Sequence, residues 1–519
     1  MLAKLHTVQT NGLRPNIVDV EVDTSRGSHA FSIVGLADKA IEEAKDRLAA
    51  AIKNSGFLPM IKGSKRIIIS LAPADIKKEG SQFDLAIALA YLLAEKEIKF
   101  DPKKRIFLGE LSLDGSLRPI KGALLLVQTA KDKGFSEVYL PAENAREAAL
   151  IRGIAIFPVK NLRQAVEHLS PAPQVAKGEK PEPKYSIVPQ SETAIEEDER
   201  SFIFDFSDIR GQESAKRGLE IAAAGGHNAA MSGPPGTGKS MLAKAFAGIL
   251  PPLSYDEMIE ATGIHSVAGV LDGDIVIHPP FRSPHHTSSY ISIVGGGAWP
   301  KPGEITLAHR GILFLDEFPE FEKRVVECLR QPLEDKVISI SRSKGTMSFP
   351  ANFILIATMN PCPCGYYGTK NRPCTCSASD ILRYQKKLSG PIMDRIDLWL
   401  DVPAIDHEKL SAKTGGESSE TIRRRVIRAR QIQLNRFSSA GLKIRANAEM
   451  SIREIVRYAT LTEELAQFLN IAAKRLDLSA RAYHRVVKLA RTIADLANEP
   501  EITEKHLTEA LNYRPRIGS

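Results

Sequence analysis

Apolar positions change period several times along the chain, and each change predicts an element. Arg66–Leu71 (RIIISL) is a β-branched run that predicts a strand. Phe83–Leu93 (FDLAIALAYLL) is apolar on every side and rich in Ala and Leu, which predicts a helix. Asp114-Gly115 sits inside IFLGELSLDGSLRPI as a hairpin signal, and EVYLPAEN follows a helical stretch as a further strand. In the second half, Ile312–Leu315 and Phe353–Thr358 are apolar runs that predict buried strands, and MLAKAFAGIL predicts an apolar helix. Residues 337–349 (VISISRSKGTMSF) alternate around Ser343-Lys344-Gly345, a hairpin pattern with Arg342 and Lys344 at its tip. From about residue 419 the pattern is helical with almost no strand signal. Alternating helices and strands followed by helices alone predict an α/β multidomain chain with a helical end.

Residues 171–200 (PAPQVAKGEKPEPKYSIVPQSETAIEEDER) break the periodicity with five prolines and many charges. Such a segment reads as a flexible linker, able to span about 30 Å. It divides the chain into a front domain, 1–170, and a back block that splits into an α/β core, 201–403, and a helical domain, 404–519. A chain of 519 residues with 43% hydrophobic and 25% charged positions fits a multidomain globular protein and excludes a disordered, coiled-coil or collagenous one. No apolar run approaches the ~18 residues of a membrane span. MLAKLHTVQT has no apolar core of a secretory signal, and five cysteines make no disulfide scaffold, so the expected compartment is the cytoplasm.

The net charge of +8 is uneven. Residues 404–519 hold 21 Lys+Arg against 14 Asp+Glu, a net of +7 that leaves +1 for the rest. A basic C-terminal quarter suits a polyanion or an acidic neighbouring subunit, or is simply a solvated surface. Arg423, Arg424, Arg425, Arg428 and Arg430 surround their helix instead of forming one stripe, so some must face protein, within a ring or against DNA.

Gly233-Pro234-Pro235-Gly236-Thr237-Gly238-Lys239-Ser240 fits G-x-x-x-x-G-K-[ST]. The glycines let backbone N–H groups curl round phosphate, Lys239 reaches the β/γ-phosphates, and Ser240 is a Mg²⁺ ligand. The apolar helix that follows adds its positive N-terminal end. Gly311–Glu317 (GILFLDE) ends a buried strand in two carboxylates: Asp316 for the Mg²⁺ shell and Glu317 to deprotonate the attacking water. Asn360, at the tip of the next strand, is a turn residue or a positioner of the same water.

GPPGTGKS, FLDE and ATMN in this order resemble the AAA+ ATPases. FRSPHHTSSYISIVGGGAWPKPGEITLAHRGILFLDEFPEF is similar to the magnesium-chelatase-type subgroup, and the whole chain resembles the bacterial ComM/YifB-type magnesium-chelatase-like proteins. The resemblance implies an αβα P-loop core with a C-terminal helical lid, assembled as a ring of six with ATP sites at subunit interfaces. It assigns Arg395, in GPIMDRIDL, as the arginine finger and Arg481, in LSARAYHRVVKLA, as the sensor arginine, with Arg485 one turn on as the competitor. A simple Asp394–Arg395 surface pair is the alternative. Ile209 and Gln212, in DIRGQ, match the segment that flanks adenine. The 337–349 hairpin sits where related helicases carry a channel hairpin, which makes Arg342 and Lys344 candidates for DNA phosphate contact.

The front domain resembles the proteolytic domain of Lon, a fold shared with a ribosomal protein family, through ISLAPADIKKEGSQFDLAIALA and GELSLDGSLRPIKGALLLVQTAKDKG. The family's nucleophile position falls on Gln82 and its lysine on Leu124; Ser81 and Lys121 are near misses, so no protease activity is expected. Cys362, Cys364, Cys374 and Cys376 form C-x-C, nine residues, C-x-C, which predicts a structural Zn²⁺ site, with disulfides, free thiols or an iron–sulfur cluster as alternatives. Cys328, alone on an apolar helix, reads as core. Adjacent His285 and His286, taken as extended, would point apart and make no metal site.

Together these readings predict an ATP-dependent hexameric DNA motor using ATP, Mg²⁺ and Zn²⁺. Its activity would be branch migration of recombination intermediates in natural transformation, on single-stranded and branched DNA, with recombinases as further partners. A chelatase motor subunit and a non-translocating DNA-binding remodeller are the competing readings.

Overall fold

The computed structural model describes residues 1–27, 30–35, 41, 43–60, 65–75, 77–78, 80–170, 186–195, 204–297, 301–342, 345–369, 372–404 and 416–515. The chain forms two units: Met1–Glu196 with Met258–Val276, and Glu197–Glu257 with Ile277–Ser519.

The first unit is built on a four-stranded sheet in the order Leu2–Asn11, Arg14–Arg26, Lys65–Ala72, Ala30–Val34. The first three strands are antiparallel and the last pair is parallel. Period-two burial decides its face: Val18, Val20 and Val22 on one strand and Ile67, Ile69 and Leu71 on the next are all buried. They cover the helix Asp84–Ala94, of which only Leu93 escapes full burial, as its all-round apolar sequence requires. A second, parallel sheet joins Arg105–Phe107, Glu137–Pro141 and Ala155–Val159, and the Asp114-Gly115 turn closes the short hairpin of Glu110–Leu111 and Leu117–Arg118.

Two parts of this unit were not legible locally. Within the segment read as a linker, residues 186–195 are docked: Ile187 is buried, and the N–H groups of Gln190 and Thr193 donate to Ile156 and Ala149. The rest of 171–200 lies outside the described residues. The body of the helix Tyr255–Ala268, from Met258 onward, belongs to this unit although its sequence lies within the α/β core. Gly263 allows the approach, since a Cβ there would stand 2.7 Å from Leu125 Cδ2, and Ser266 Oγ accepts the Gly122 N–H at 2.9 Å.

The second unit contains a five-stranded parallel sheet: Phe281–Arg282, Ile312–Leu315, Ile354–Met359, Ala229–Ser232, Leu398–Asp401. In chain order the strands are arranged 2-3-4-1-5, so the first strand lies inside the sheet between the fourth and the fifth, and the connection reverses direction across it. Loops at the carboxyl ends on either side of such a reversal diverge and leave a crevice. Helices Ser419–Ser438, Glu463–Arg475, Ala480–Leu496 and Glu504–Asn512 share one apolar core with this sheet. No described helix is long and apolar enough to cross a membrane.

Candidate nucleotide site and cysteine cluster

Three strand ends build the crevice. Ser232 ends the central strand beside Met359 and Asp401. The chain then curls through Gly236 and Gly238, both at positive φ (77° and 89°), and enters the helix Lys239–Ile249. Gly233 is required by proximity: a Cβ there would stand 2.1 Å from the Val402 carbonyl oxygen. The Lys239 ammonium lies within the loop, donating to the carbonyls of Gly233 (2.6 Å) and Pro234 (2.8 Å) and to Asn360 Oδ1 (3.2 Å). Burial lowers its pKa, against the opposing pull of Asp316 and Glu317. A phosphate would supply the anionic acceptor that these neutral carbonyls do not.

Ser240 Oγ donates to Asp316 Oδ2 at 2.9 Å. Two oxygens about 3 Å apart are what adjacent ligands of a Mg²⁺ ion require at 2.0–2.1 Å each, so this pair fits that ion. Thr358 donates its hydroxyl to Asp316 and accepts the Glu317 N–H at 3.2 Å, fixing the Asp316 carboxylate and the Glu317 backbone from the next strand. Thr358 was not singled out by sequence; its place in a buried strand gave no signal. Glu317 adopts φ +53°, which turns it out of the strand, and its carboxylate is about half exposed. Beside it lies His286, with Nδ1 3.3 Å from Oε2. The extended geometry expected for His285-His286 does not occur. The pair lies at a turn, its rings 4.2 Å apart, with His286 against Glu317.

Gln212, at φ +61°, donates to the carbonyls of Pro403 (2.7 Å) and Thr237 (3.4 Å), tying its segment to the phosphate loop. Ile209 is buried, and its carbonyl accepts from Lys216 Nζ at 2.6 Å. Arg395 is only 7% exposed and pairs with Glu334, not with Asp394; its Nη1 donates to the Pro391 carbonyl at 2.7 Å. Arg481 donates to the other oxygen of Glu334 at 3.1 Å. Arg485 is paired with Asp397, which is buried and accepts the Asn228 N–H at 2.9 Å, so this competitor has an internal task. Arg425 pairs with Glu220 (2.5 Å), and Arg430 donates to the Ala223 carbonyl (2.9 Å), which turns two of the five helix arginines inward. Arg342 ends the strand Val337–Arg342, paired with Gly345–Pro350 as the alternation predicts; Ser343 and Lys344 lie outside the described residues.

The sulfur atoms of Cys362, Cys364, Cys374 and Cys376 all lie within 4.8 Å of one another. Three of the pairs are separated by 3.4, 3.5 and 3.7 Å. A tetrahedron of sulfurs about 2.3 Å from one centre has edges of about 3.8 Å, whereas a disulfide requires about 2.05 Å. The N–H groups of Tyr366 and Thr375 hold the Cys364 thiol well below its ordinary pKa, as a thiolate ligand needs. Gly365, at φ +85°, brings this loop against the phosphate loop: a Cβ there would stand 2.6 Å from Pro235 Cδ. Cys328 is apart and half-buried, its thiol pushed up to about 12 by burial.

In the first unit, Ser81 donates to Glu110, while the Lys121 ammonium lies beside Gly269 and Leu124 is fully buried. Among the described residues, the Ser81 hydroxyl is thus engaged by Glu110 rather than by Lys121.

Family comparisons agree with this architecture. The description "Magnesium chelatase, subunit ChlI" matches residues 205–410, "Subunit ChlI of Mg-chelatase" matches 20–144, and the ChlI C-terminal family matches 416–514. Competence protein ComM of Haemophilus influenzae is 41% identical over 99% of this chain and 98% of its own length. The chain belongs to the ComM/YifB group of magnesium-chelatase-like AAA+ proteins. YifB of Salmonella typhimurium is 42% identical over 99% of this chain and 97% of its own. A more distant match, maternal DNA replication licensing factor mcm6 of Xenopus tropicalis, is 23% identical over 59% of the chain and 36% of that protein. The central strand order and the loop–helix–acidic strand constellation are thus the ComM/YifB version of an ATPase core.

Proposed function

We propose that this chain is a cytoplasmic ATP-driven DNA motor that works as a ring of six and promotes branch migration of recombination intermediates during DNA uptake. The observation that carries the reading is the convergence of Lys239, Ser240, Asp316 and Asn360 around one loop, with Glu317 turned outward beside them. In this reading Lys239 grips the β/γ-phosphates and leaves its carbonyl partners when they arrive. Ser240 and Asp316 would hold Mg²⁺, which when bound neutralises phosphate charge. Glu317 takes the proton of the attacking water and Asn360 orients that water. Gln212 and Ile209 flank the base. Arg395 and Arg481 supply positive charge to the γ-phosphate held by a neighbouring subunit. The cysteine cluster holds a structural Zn²⁺ that braces the loop against Pro235.

The full-length similarity to a competence protein supports a role in DNA uptake, and the hairpin bearing Arg342 and Lys344 supports contact with DNA phosphates. The test is ATPase activity with and without single-stranded DNA, together with displacement of a branched substrate. DNA should raise the ATPase rate, and Glu317→Gln should abolish displacement while ATP binding persists. Displacement by Glu317→Gln at the unaltered rate would remove the motor reading. The family descriptions also favour a second reading, a motor for metal insertion into a porphyrin; an ATPase indifferent to DNA would support it.

A further inference from the structure

The parallel sheet of the second unit has a second cavity-bearing end. Gly226, Gly311 and Phe353–Ile354 lead into the amino ends of the strands Ala229–Ser232, Ile312–Leu315 and Ile354–Met359, opposite the carboxyl ends that carry Lys239, Asp316 and Asn360. They line a cavity of about 100 Å³, roughly the share of three waters in liquid. The far end of the phosphate-loop helix, through Leu250–Leu253, closes one side of it.

Its charged lining is Arg310, Lys336, Arg430, Arg445, Glu257 and Glu449, four cations against two carboxylates. Both carboxylates are engaged. Glu257 faces Arg445 at 3.1 Å and Arg310 at 3.8 Å. Glu449 accepts from the Asn352 amide (2.8 Å) and the Arg445 N–H (2.9 Å). Lys336 and Arg430 therefore have no carboxylate within ion-pair distance among the described residues. Arg430 spends Nε and Nη2 on the Ala223 carbonyl, a neutral acceptor. Burial pushes the pKa of both cations down, against the opposing pull of Glu449 on each. A small, half-open, doubly cationic recess favours one class of occupant, a compact dianion whose oxygens accept from several N–H donors at once.

We propose that this cavity is a second anion site, distinct from the nucleotide site, and that it binds a free tetrahedral dianion of the inorganic-phosphate class through Lys336 and Arg430. The small volume favours a free ion over a polynucleotide backbone, whose phosphates are flanked by sugars.

The experiment uses the full-length Lys239→Ala protein, so that the phosphate loop is disabled, titrated with inorganic phosphate against chloride at matched ionic strength. Saturating phosphate should raise the melting temperature by about 5 °C. Calorimetry should give one binding event that Lys336→Gln weakens about tenfold or more and Lys336→Arg retains. Glu257→Gln, which removes a negative charge from the lining, should tighten it; this second variant tests the site even if Lys336→Gln folds poorly. Equal affinity in Lys336→Gln and Lys336→Arg, a chloride response as large as the phosphate response, or binding that depends on Lys336 only with an oligonucleotide would each overturn the proposal.

Discussion

Arg395 and Arg481 converge on a single carboxylate, each donating to a different oxygen of Glu334. Arg395 comes from the loop before the last sheet strand and Arg481 from the first turn of the helix Ala480–Leu496, so Glu334 makes one cationic unit out of two distant segments. Neither arginine has a hydrogen bond to the phosphate loop, Asp316 or Asn360 of its own chain. In the proposed ring, both would reach a nucleotide held by another subunit once Glu334 releases them. The expected outcome is complementation: Arg395→Ala and Lys239→Ala each lower ATPase activity alone by about 10³-fold, and mixing them restores a measurable fraction. Mixtures as inactive as the separate variants would show that Arg395 acts within its own subunit.

The four sulfurs predict one zinc per chain, measured by atomic emission on the purified protein. Because Gly365 touches Pro235, stripping the metal, or Cys374→Ser, should raise KM for ATP more than it lowers kcat. Gly365→Ala should mimic the defect with the metal still in place, since its Cβ would press on the phosphate loop.

His286 Nδ1 lies 3.3 Å from Glu317 Oε2. In the proposed mechanism this contact engages the carboxylate that is to act as general base, and its removal would free that group. His286→Ala should therefore raise the DNA-independent ATPase rate several-fold and shrink the stimulation by DNA, read in a coupled ATPase assay. A fall in both rates in parallel would assign His286 to the folding of its loop alone.

Asp84 is buried beside Arg47, which donates to it at 2.7 and 3.1 Å, and it accepts the Leu111 N–H. Burial dominates and raises its carboxyl to about 6. The folded chain then holds this proton more tightly than the unfolded one. The group's contribution to stability is fully present below about pH 4 and is lost as pH rises through about 6. Urea titrations from pH 4 to 7 should show wild type losing about 3 kcal/mol relative to Asp84→Asn across that window. Parallel curves would contradict this assignment.

The nucleotide machinery was legible in the chain because its parts are short and local. Gly233–Ser240 needs its glycines for curvature and Lys239 for reach, and the Ile312–Leu315 run has to end in Asp316-Glu317 for a carboxylate to reach the crevice. The cysteine cluster was legible for the same reason, since a C-x-C pair already places two sulfurs on one turn. The hairpin 337–349 followed from its alternation and the helix Asp84–Ala94 from its unbroken Ala- and Leu-rich apolar run.

What only the tertiary structure decided were the pairings between distant segments. Sequence offered Arg481 as the sensor arginine with Arg485, one turn on, as its competitor; buried Asp397 claims Arg485 and leaves Arg481 to Glu334. It left five arginines on the helix Ser419–Ser438 undivided, until Glu220 and the Ala223 carbonyl turned Arg425 and Arg430 inward. It assigned Met258–Val276 to the core, although Gly263 and Ser266 dock it in the first unit. The physical reason is common to all of these. Periodicity records which side of an element is buried, while the choice of a charged partner depends on which carboxylate or carbonyl the completed fold leaves within hydrogen-bond reach.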